Sequence, residues 1–375
     1  MAFALTGARV FDGTSLQDGM AVVVKDKVIS NVLPVSQLPR GIEVQDLKGG
    51  LLSAGFIDVQ VNGGGGALMN DNPTVETVKR IAASHRKVGT TGLLPTVITD
   101  DQKVIDQAIV AVQDAIAHHV PGILGIHLEG PFLDVARKGA HPENFIRTLT
   151  QRDVQHIAAM NCGSVMLTLA PNKVPAQFIA ELTQRGILIS LGHAEATVVE
   201  VQKALGAGAR AFTHIYNAMS QLNGREPGMV GACLSDSESY CSVIVDGLHV
   251  GDVALKILFA AKAKNRIMLI TDAMPPAAGG PDSFELQGRR ARRVGNRLQL
   301  DDGTLAGSIV TMDEAVRRSI QLGVRLEDAL RMASLVPAHY LRRENELGRI
   351  AKGFIASLVH LSDDLRVNKT WINGL

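Results

Sequence analysis

Eight apolar runs recur through the middle of the chain, and helix-like stretches lie between most pairs. The runs are GFIDVQV near 55–61, TGLLPTVI near 91–98, ILGIHLE at 123–129 and SVMLTLA at 164–170. ILISLGH at 187–193, RAFTHI at 210–215, YCSVIVD at 240–246 and RIMLITD at 266–272 complete the set. Short apolar runs of this kind, bounded by turn residues, read as buried strands. VETVKRIAASHRKVG and ATVVEVQKALGAG carry helical patterns and each closes on glycine, the usual stop signal. Eight strand–helix units in series predict an α/β fold, a (β/α)8 TIM barrel.

The two ends of the chain follow a different rhythm. FALTGARVFDG, MAVVVKDKVISNVLP and GIEVQDL alternate over short lengths and are separated by turn residues, so they read as strands. They are too few for an independent sandwich. GFIASLVHL (353–361) and RVNKTWING (366–374) offer the missing partners. One small β-sandwich domain built from both termini follows, with boundaries expected at 1–52 and 345–375 and the barrel at 53–344. The polar, Gly- and Arg-rich stretch at 279–304 predicts a hairpin insertion, and helical patterns return at 311–322 and 326–334.

Composition narrows the function more than the fold. Lys+Arg 38 against Asp+Glu 37 leaves no basic field, which argues against nucleic acid or an anionic membrane as the main partner. Any phosphate-binding group must be local. The three cysteines, Cys162, Cys233 and Cys241, have no CxxC spacing, which fits a reducing cytoplasm and neither a disulfide framework nor a zinc ribbon. MAFALTGARVFDG has no charged n-region before an apolar stretch, so no signal peptide is expected. No run approaches the about 20 apolar residues of a membrane span.

Chemistry collects at the strand ends. The third run ends on Glu129 before Gly130 and Pro131, the fifth on His193 and the eighth on Asp272, and His214 lies near the end of the sixth. A TIM barrel keeps its active site at that face. Glu129, His193 and His214 can supply three ligands and leave a fourth position for water, the open arrangement of a catalytic zinc or similar divalent ion. The alternative is two capping histidines and a barrel salt bridge. Asp272 beside a metal-bound water can take up and return a proton, although an aspartate there also serves as a helix cap or a fourth ligand. His127 shares a strand face with Glu129 and is expected beneath the metal. Asp58, Gln60 and Asn62 alternate into the barrel along the first strand. Arg225, in a Gly/Pro-bounded loop after the sixth strand, is a candidate anion clamp, and His249 after the seventh strand is a second. His141 can polarise a carbonyl, and the loop LAGS at 305–308 can line a pocket.

With GFIDVQVNG, HLEGPF, KGAH, LGHAEAT, THIYNAM, GREPGMVGA, IVDGLHV, LITDAM and GTLAGS in view, the chain resembles the N-acetylglucosamine-6-phosphate deacetylases of the amidohydrolase superfamily, from end to end. The resemblance implies one divalent ion per subunit, zinc before others, on Glu129, His193 and His214, with Asp272 as base and then acid. It implies that His141 helps to polarise the acetamide carbonyl. Ala140, Asn217, Ala218, Arg225, Leu305, Ala306 and Gly307 are implied substrate contacts. His249 is implied to reach the sugar phosphate of the neighbouring subunit, and so a homodimer. Gln60-Val61-Asn62 stands where the wider superfamily has His-x-His, the pattern of single-metal deacetylases. TLAPN ends on Asn172 where glutamate is expected.

The implied reaction is cytoplasmic removal of acetyl from N-acetylglucosamine 6-phosphate, in amino-sugar catabolism. The same reaction on N-acetylgalactosamine 6-phosphate is the alternative. A Schiff-base aldolase would need a lysine at a strand end, and none of the eight ends carries one. A non-catalytic sugar-phosphate sensor would not need the full ligand set and Asp272.

Overall fold

The computed structural model describes residues 2–375. Eight strands pair in chain order in one parallel sheet: Phe56–Val61, Thr90–Ile98, Gly125–Glu129, Ser164–Leu169, Leu188–Leu191, Ala211–Phe212, Tyr240–Ile244 and Ile267–Ile270. A parallel bridge between Val61 and Ala273, and a 3.0 Å hydrogen bond from the Asp272 N–H to the Gln60 carbonyl, bring the last strand back to the first. The predicted TIM barrel is therefore observed. Helices follow the strands, from Val75–Arg86 after the first to Asp252–Ala261 after the seventh.

Each strand is divided between two environments. In Gly125–Glu129, Ile126 and Leu128 join the large apolar cluster, while His127 and Glu129 alternate with them into the barrel. Full burial of such an aliphatic side chain contributes about 1.5–3 kcal/mol, so the outward set anchors the strand and frees the inward set for polar work. The helix after the fifth strand, Val198–Gly206, starts at a capping box. The Glu200 N–H donates to the Thr197 hydroxyl, and the Thr197 N–H donates to the Glu200 carboxylate. That cap fixes the chain a few residues past His193.

Three strands end earlier than their apolar runs, at Leu191, Phe212 and Ile270. The reason is backbone geometry. His193, His214 and Asp272 have φ of 48°, 31° and 50°, in the left-handed region that L-residues rarely adopt. The chain turns at the functional residues, which aims their side chains at one point above the barrel.

The terminal strands form two sheets. Val28–Pro34, Met20–Lys25, Ala2–Thr6 and Glu43–Asp46 make one; Val367–Trp371, Leu358–Leu361, Leu51–Ala54, Arg9–Phe11 and Leu16–Gln17 make the other. Leu5, Val22, Val24 and Ile29 from the first pack on Val10, Leu52, Leu358 and Trp371 from the second. Both chain ends thus share one sandwich core, as the sequence predicts. The insertion is a three-stranded antiparallel meander, Ser283–Leu286, Arg289–Val294 and Arg297–Leu300, one strand more than the expected hairpin. Leu286, Ala291, Leu298 and Leu300 of the meander pack on Ile98, Met274 and Ala306, so it roofs one side of the barrel mouth.

Candidate active site

Three ligand-type atoms meet over the barrel. The Nε2 atoms of His193 and His214 lie 3.2 and 2.9 Å from Glu129 Oε1 and 3.1 Å from each other. All three residues are buried. The Nδ1–H of His193 donates to the Arg137 carbonyl at 3.0 Å, and a carbonyl can only accept. With Nδ1 committed to that carbonyl, Nε2 is the ring atom that faces a carboxylate oxygen and a second imidazole nitrogen, where it would serve as the ligand atom. Two imidazole nitrogens and one carboxylate oxygen are zinc-type donors, and edges near 3 Å suit bonds of about 2.0–2.2 Å. The donor set fits a divalent ion.

Electrostatics agree with that fit. Burial works against the charge on Glu129. Hydrogen bonds and positive charge from His193 and His214 outweigh it and hold the carboxyl well below its usual range. Burial likewise opposes the charged form of His214, and Glu129 overcomes it, raising the imidazole. The site is built to concentrate one positive charge.

Asp272 faces this trio. Its Oδ1 accepts from Asn62 Nδ2 at 2.7 Å and Gln60 Nε2 at 3.2 Å, and Gln60 Nε2 also donates to Glu129 Oε1 at 3.0 Å. The N–H groups of the first-strand amides are thus committed to the two carboxylates, while Gln60 Oε1 and Asn62 Oδ1 are buried without a hydrogen-bond partner. Burial, then the negative charge of Glu129, pushes the Asp272 carboxyl up to about 6. Asp58 lies deeper, accepting from the Thr271 hydroxyl and from the backbone N–H groups of Thr271 and Gln60, and burial pushes it up to about 7.

His141 completes the wall. Its Nε2 is 3.9 Å from Glu129 Oε2, and its ring stands edge-on to His193 with centroids 4.4 Å apart. Thr99 Oγ1 is 2.8 Å from His141 Nδ1 and 3.4 Å from the Glu129 carbonyl. The Thr99 hydroxyl donates to that carbonyl, so His141 is tied down through Nδ1 and its Nε2 is left on the pocket side. Burial holds the imidazole well below its usual value and so neutral.

Asn62, Glu129, His141, His193, His214 and Asp272 line a cavity of about 430 Å³ together with Ala140, Asn217, Ala218, His249, Leu305 and Gly307. Several expected residues stand elsewhere. Ala306 is wholly buried in the apolar cluster under the meander, because the strand-like segment turns its methyl away from the pocket. His249 lines the pocket of its own chain, its Nδ1 held 2.7 Å from Asp246 Oδ2. Arg225 lies on the exposed loop before the Gly228–Ser235 helix and is not among the residues lining its own chain's cavity. Sequence reasoning passed over Arg137, which lines the cavity, pairs with Glu195 and orients His193 through its carbonyl. A surface-type arginine immediately before KGAH gave no signal. Asn172 donates to Asp134 at 2.6 Å, and the Asp134 N–H donates to the His193 carbonyl at 2.9 Å. Asparagine there supports the turn behind His193, where a glutamate would face the Asp134 carboxylate.

The fold and the strand-end site are those of a known class. Residues 51–375 match the Amidohydrolase family and residues 2–52 match the NagA composite domain. The chain belongs to the amidohydrolase family, whose members are metal-dependent, and it is a hydrolase. It is 42% identical to an N-acetylgalactosamine-6-phosphate deacetylase of Shewanella sp. (strain ANA-3), over 98% of this chain and 94% of that one. It is 32% identical to the N-acetylglucosamine-6-phosphate deacetylase of Haemophilus influenzae, over 100% and 99%. The crystal structure of N-acetylglucosamine-6-phosphate deacetylase from Pasteurella multocida superposes with a TM-score of 0.97 at 34% identity, covering 100% of this chain and 99% of that one.

Proposed function

We propose that this hydrolase removes acetyl from N-acetyl-D-glucosamine 6-phosphate, releasing D-glucosamine 6-phosphate and acetate. The observation that carries the reading is one cavity holding the Glu129–His193–His214 trio, Asp272 and the His141 imidazole. The end-to-end likeness to named sugar-phosphate deacetylases supports it. The relative at 42% identity favours the galacto epimer as a second reading. Acetate release by the purified protein, with kcat/KM measured side by side on the two 6-phosphates, tests both. A preference for the galacto sugar would select the second reading, and no acetate from either would end both.

Glu129, His193 and His214 would hold the ion, for which zinc is the proposed identity from the donor types. Such an ion supplies Lewis acidity and lowers the pKa of water. Asp272 accepts the proton of the attacking water on its carboxylate and returns it to the leaving nitrogen. His141, with its proton on Nε2, would donate to the acetamide oxygen as negative charge develops there. Gln60 and Asn62 keep the Asp272 carboxylate aimed at the pocket.

We assign His249 to the phosphate from within its own chain, a reading supported by its position in the cavity wall. We assign Arg225, beside the exposed Leu222, to the phosphate of a second copy's site, which makes the active unit a homodimer. Arg225→Ala is expected to weaken N-acetylhexosamine 6-phosphates more than the unphosphorylated sugar, because a charge-assisted bond to phosphate exists only with the former. Equal losses of kcat/KM on the two would remove Arg225 from the phosphate. The same reading takes 1–52 and 345–375 as the sandwich and 53–344 as the catalytic barrel. Three unpaired, buried cysteines support a reducing cytoplasmic setting. Among the described residues no helix is long and apolar enough to cross a membrane.

A further inference from the structure

One layer beneath the three candidate ligands, five wholly buried polar side chains form a continuous hydrogen-bonded line. Ser190 Oγ lies 2.7 Å from Thr213 Oγ1, which lies 2.7 Å from Thr168 Oγ1. Thr168 Oγ1 is 2.8 Å from His127 Nε2, and His127 Nδ1 is 3.2 Å from Thr96 Oγ1. Thr96 Oγ1 also accepts from the Val61 N–H at 2.9 Å and donates to the Leu94 carbonyl at 3.3 Å. Each of the five has a relative exposure of 1% or less.

Protons can be placed along this line in one consistent direction. Ser190 donates to Thr213, Thr213 to Thr168, and Thr168 to His127 Nε2. The His127 Nδ1–H then donates to Thr96, and Thr96 ends the line at the Leu94 carbonyl. Every proton has an acceptor. Reversing the line sends the last proton to Ser190, whose hydroxyl has Thr213 as its one side-chain partner among the described residues. The direction assigns His127 the neutral Nδ1–H form.

The line also joins strands that the sheet does not. His127 stands two residues before Glu129, Ser190 three before His193, and Thr213 one before His214. The Thr168–Thr213 bond links the fourth strand directly to the sixth, across the barrel interior. Gly192, the residue before His193, is wedged against the line. A Cβ there would come within 2.9 Å of the Thr168 methyl and 3.1 Å of Thr213 Cβ. Moving the line therefore moves the His193 backbone. Aliphatic side chains would fill the same space, and buried hydroxyls are tolerated only while bonded.

We propose that Ser190, Thr213, Thr168, His127 and Thr96 are positioning residues, a brace that sets the spacing of Glu129, His193 and His214 and so the affinity of the site for its ion. None of them touches a candidate ligand atom or lines the cavity. The inference rests on the metal-site reading above. The test is competition for Zn2+ between the full-length protein and a chromophoric chelator, with folding followed by circular dichroism. Thr213→Val, which keeps the shape and removes the central hydroxyl, is expected to weaken zinc binding by about 10–100-fold, the usual effect of losing a group that orients ligands. Thr213→Ser should restore it. Turnover per bound zinc should stay within about twofold of the parent. If Thr213→Val does not fold, Ser190→Ala carries the test with an expected loss of at least about threefold. Nitrogen-15 spectra of the zinc protein, assigned against His127→Gln, should show the Nδ1–H form. Parent-like zinc affinity in the folded variants, a loss confined to turnover per bound zinc, or an Nε2–H His127 would each overturn the brace. A parent protein that binds no zinc would instead overturn the metal-site reading itself.

Discussion

Asp272→Asn is expected to lower kcat by about 10²–10⁴-fold while the protein stays folded and keeps its metal. The carboxamide oxygen can still accept from Asn62 and Gln60, so the geometry survives. The proton acceptor does not. The pH profile supplies an independent check. Burial and the Glu129 charge raise the Asp272 carboxyl to about 6, and a base acts only when ionised. In the parent, kcat/KM should therefore fall as pH drops through about 6, or lower where a bound cation favours the ionised form. The residual activity of Asp272→Asn should lack that limb. Near-normal kcat in a metal-replete variant would remove Asp272 from the mechanism.

Glu129→Gln is expected to empty the site. The parent should hold about one divalent ion per chain after dialysis against metal-free buffer, since three protein ligands and a water complete a four-coordinate site. A neutral amide is a poor zinc ligand, so the variant should lose more than about 100-fold in affinity and essentially all activity. Metal analysis of both proteins at matched chelator concentrations checks this. For a second ion the first strand offers only the neutral amide oxygens of Gln60 and Asn62, which are poor zinc ligands, while their N–H groups donate to Asp272 and Glu129. A parent stoichiometry near two, with activity following the second equivalent, would sink the single-ion reading.

What the sequence made legible follows from how each feature is encoded. Apolar runs announce strands, so the barrel and the shared terminal sandwich could be read before any contact was known. Glu129, His193, His214 and Asp272 stood out because charged or imidazole groups are rare after such runs. Of the brace only His127 stood out, through the strand face it shares with Glu129. Threonine is favoured in strands for its shape alone, and alternation tells a residue's face but not its depth. Arg137 was missed because its role runs through a backbone carbonyl. Spacing placed His249 after the seventh strand but could not show that it lines its own chain's pocket. The overrun of three strands has a similar cause: an apolar run records burial, whereas the strand stops where φ turns positive.

That turn has a consequence for anyone engineering this protein. Holding a non-glycine residue at positive φ costs about 1–3 kcal/mol, and His193, His214 and Asp272 each do so. Glycine adopts the same conformation without the Cβ clash. A thermal-stability screen scored on melting alone would therefore enrich glycine at these three positions and return rugged, inert barrels. Selection for stability in this scaffold has to carry a turnover measurement from the first round.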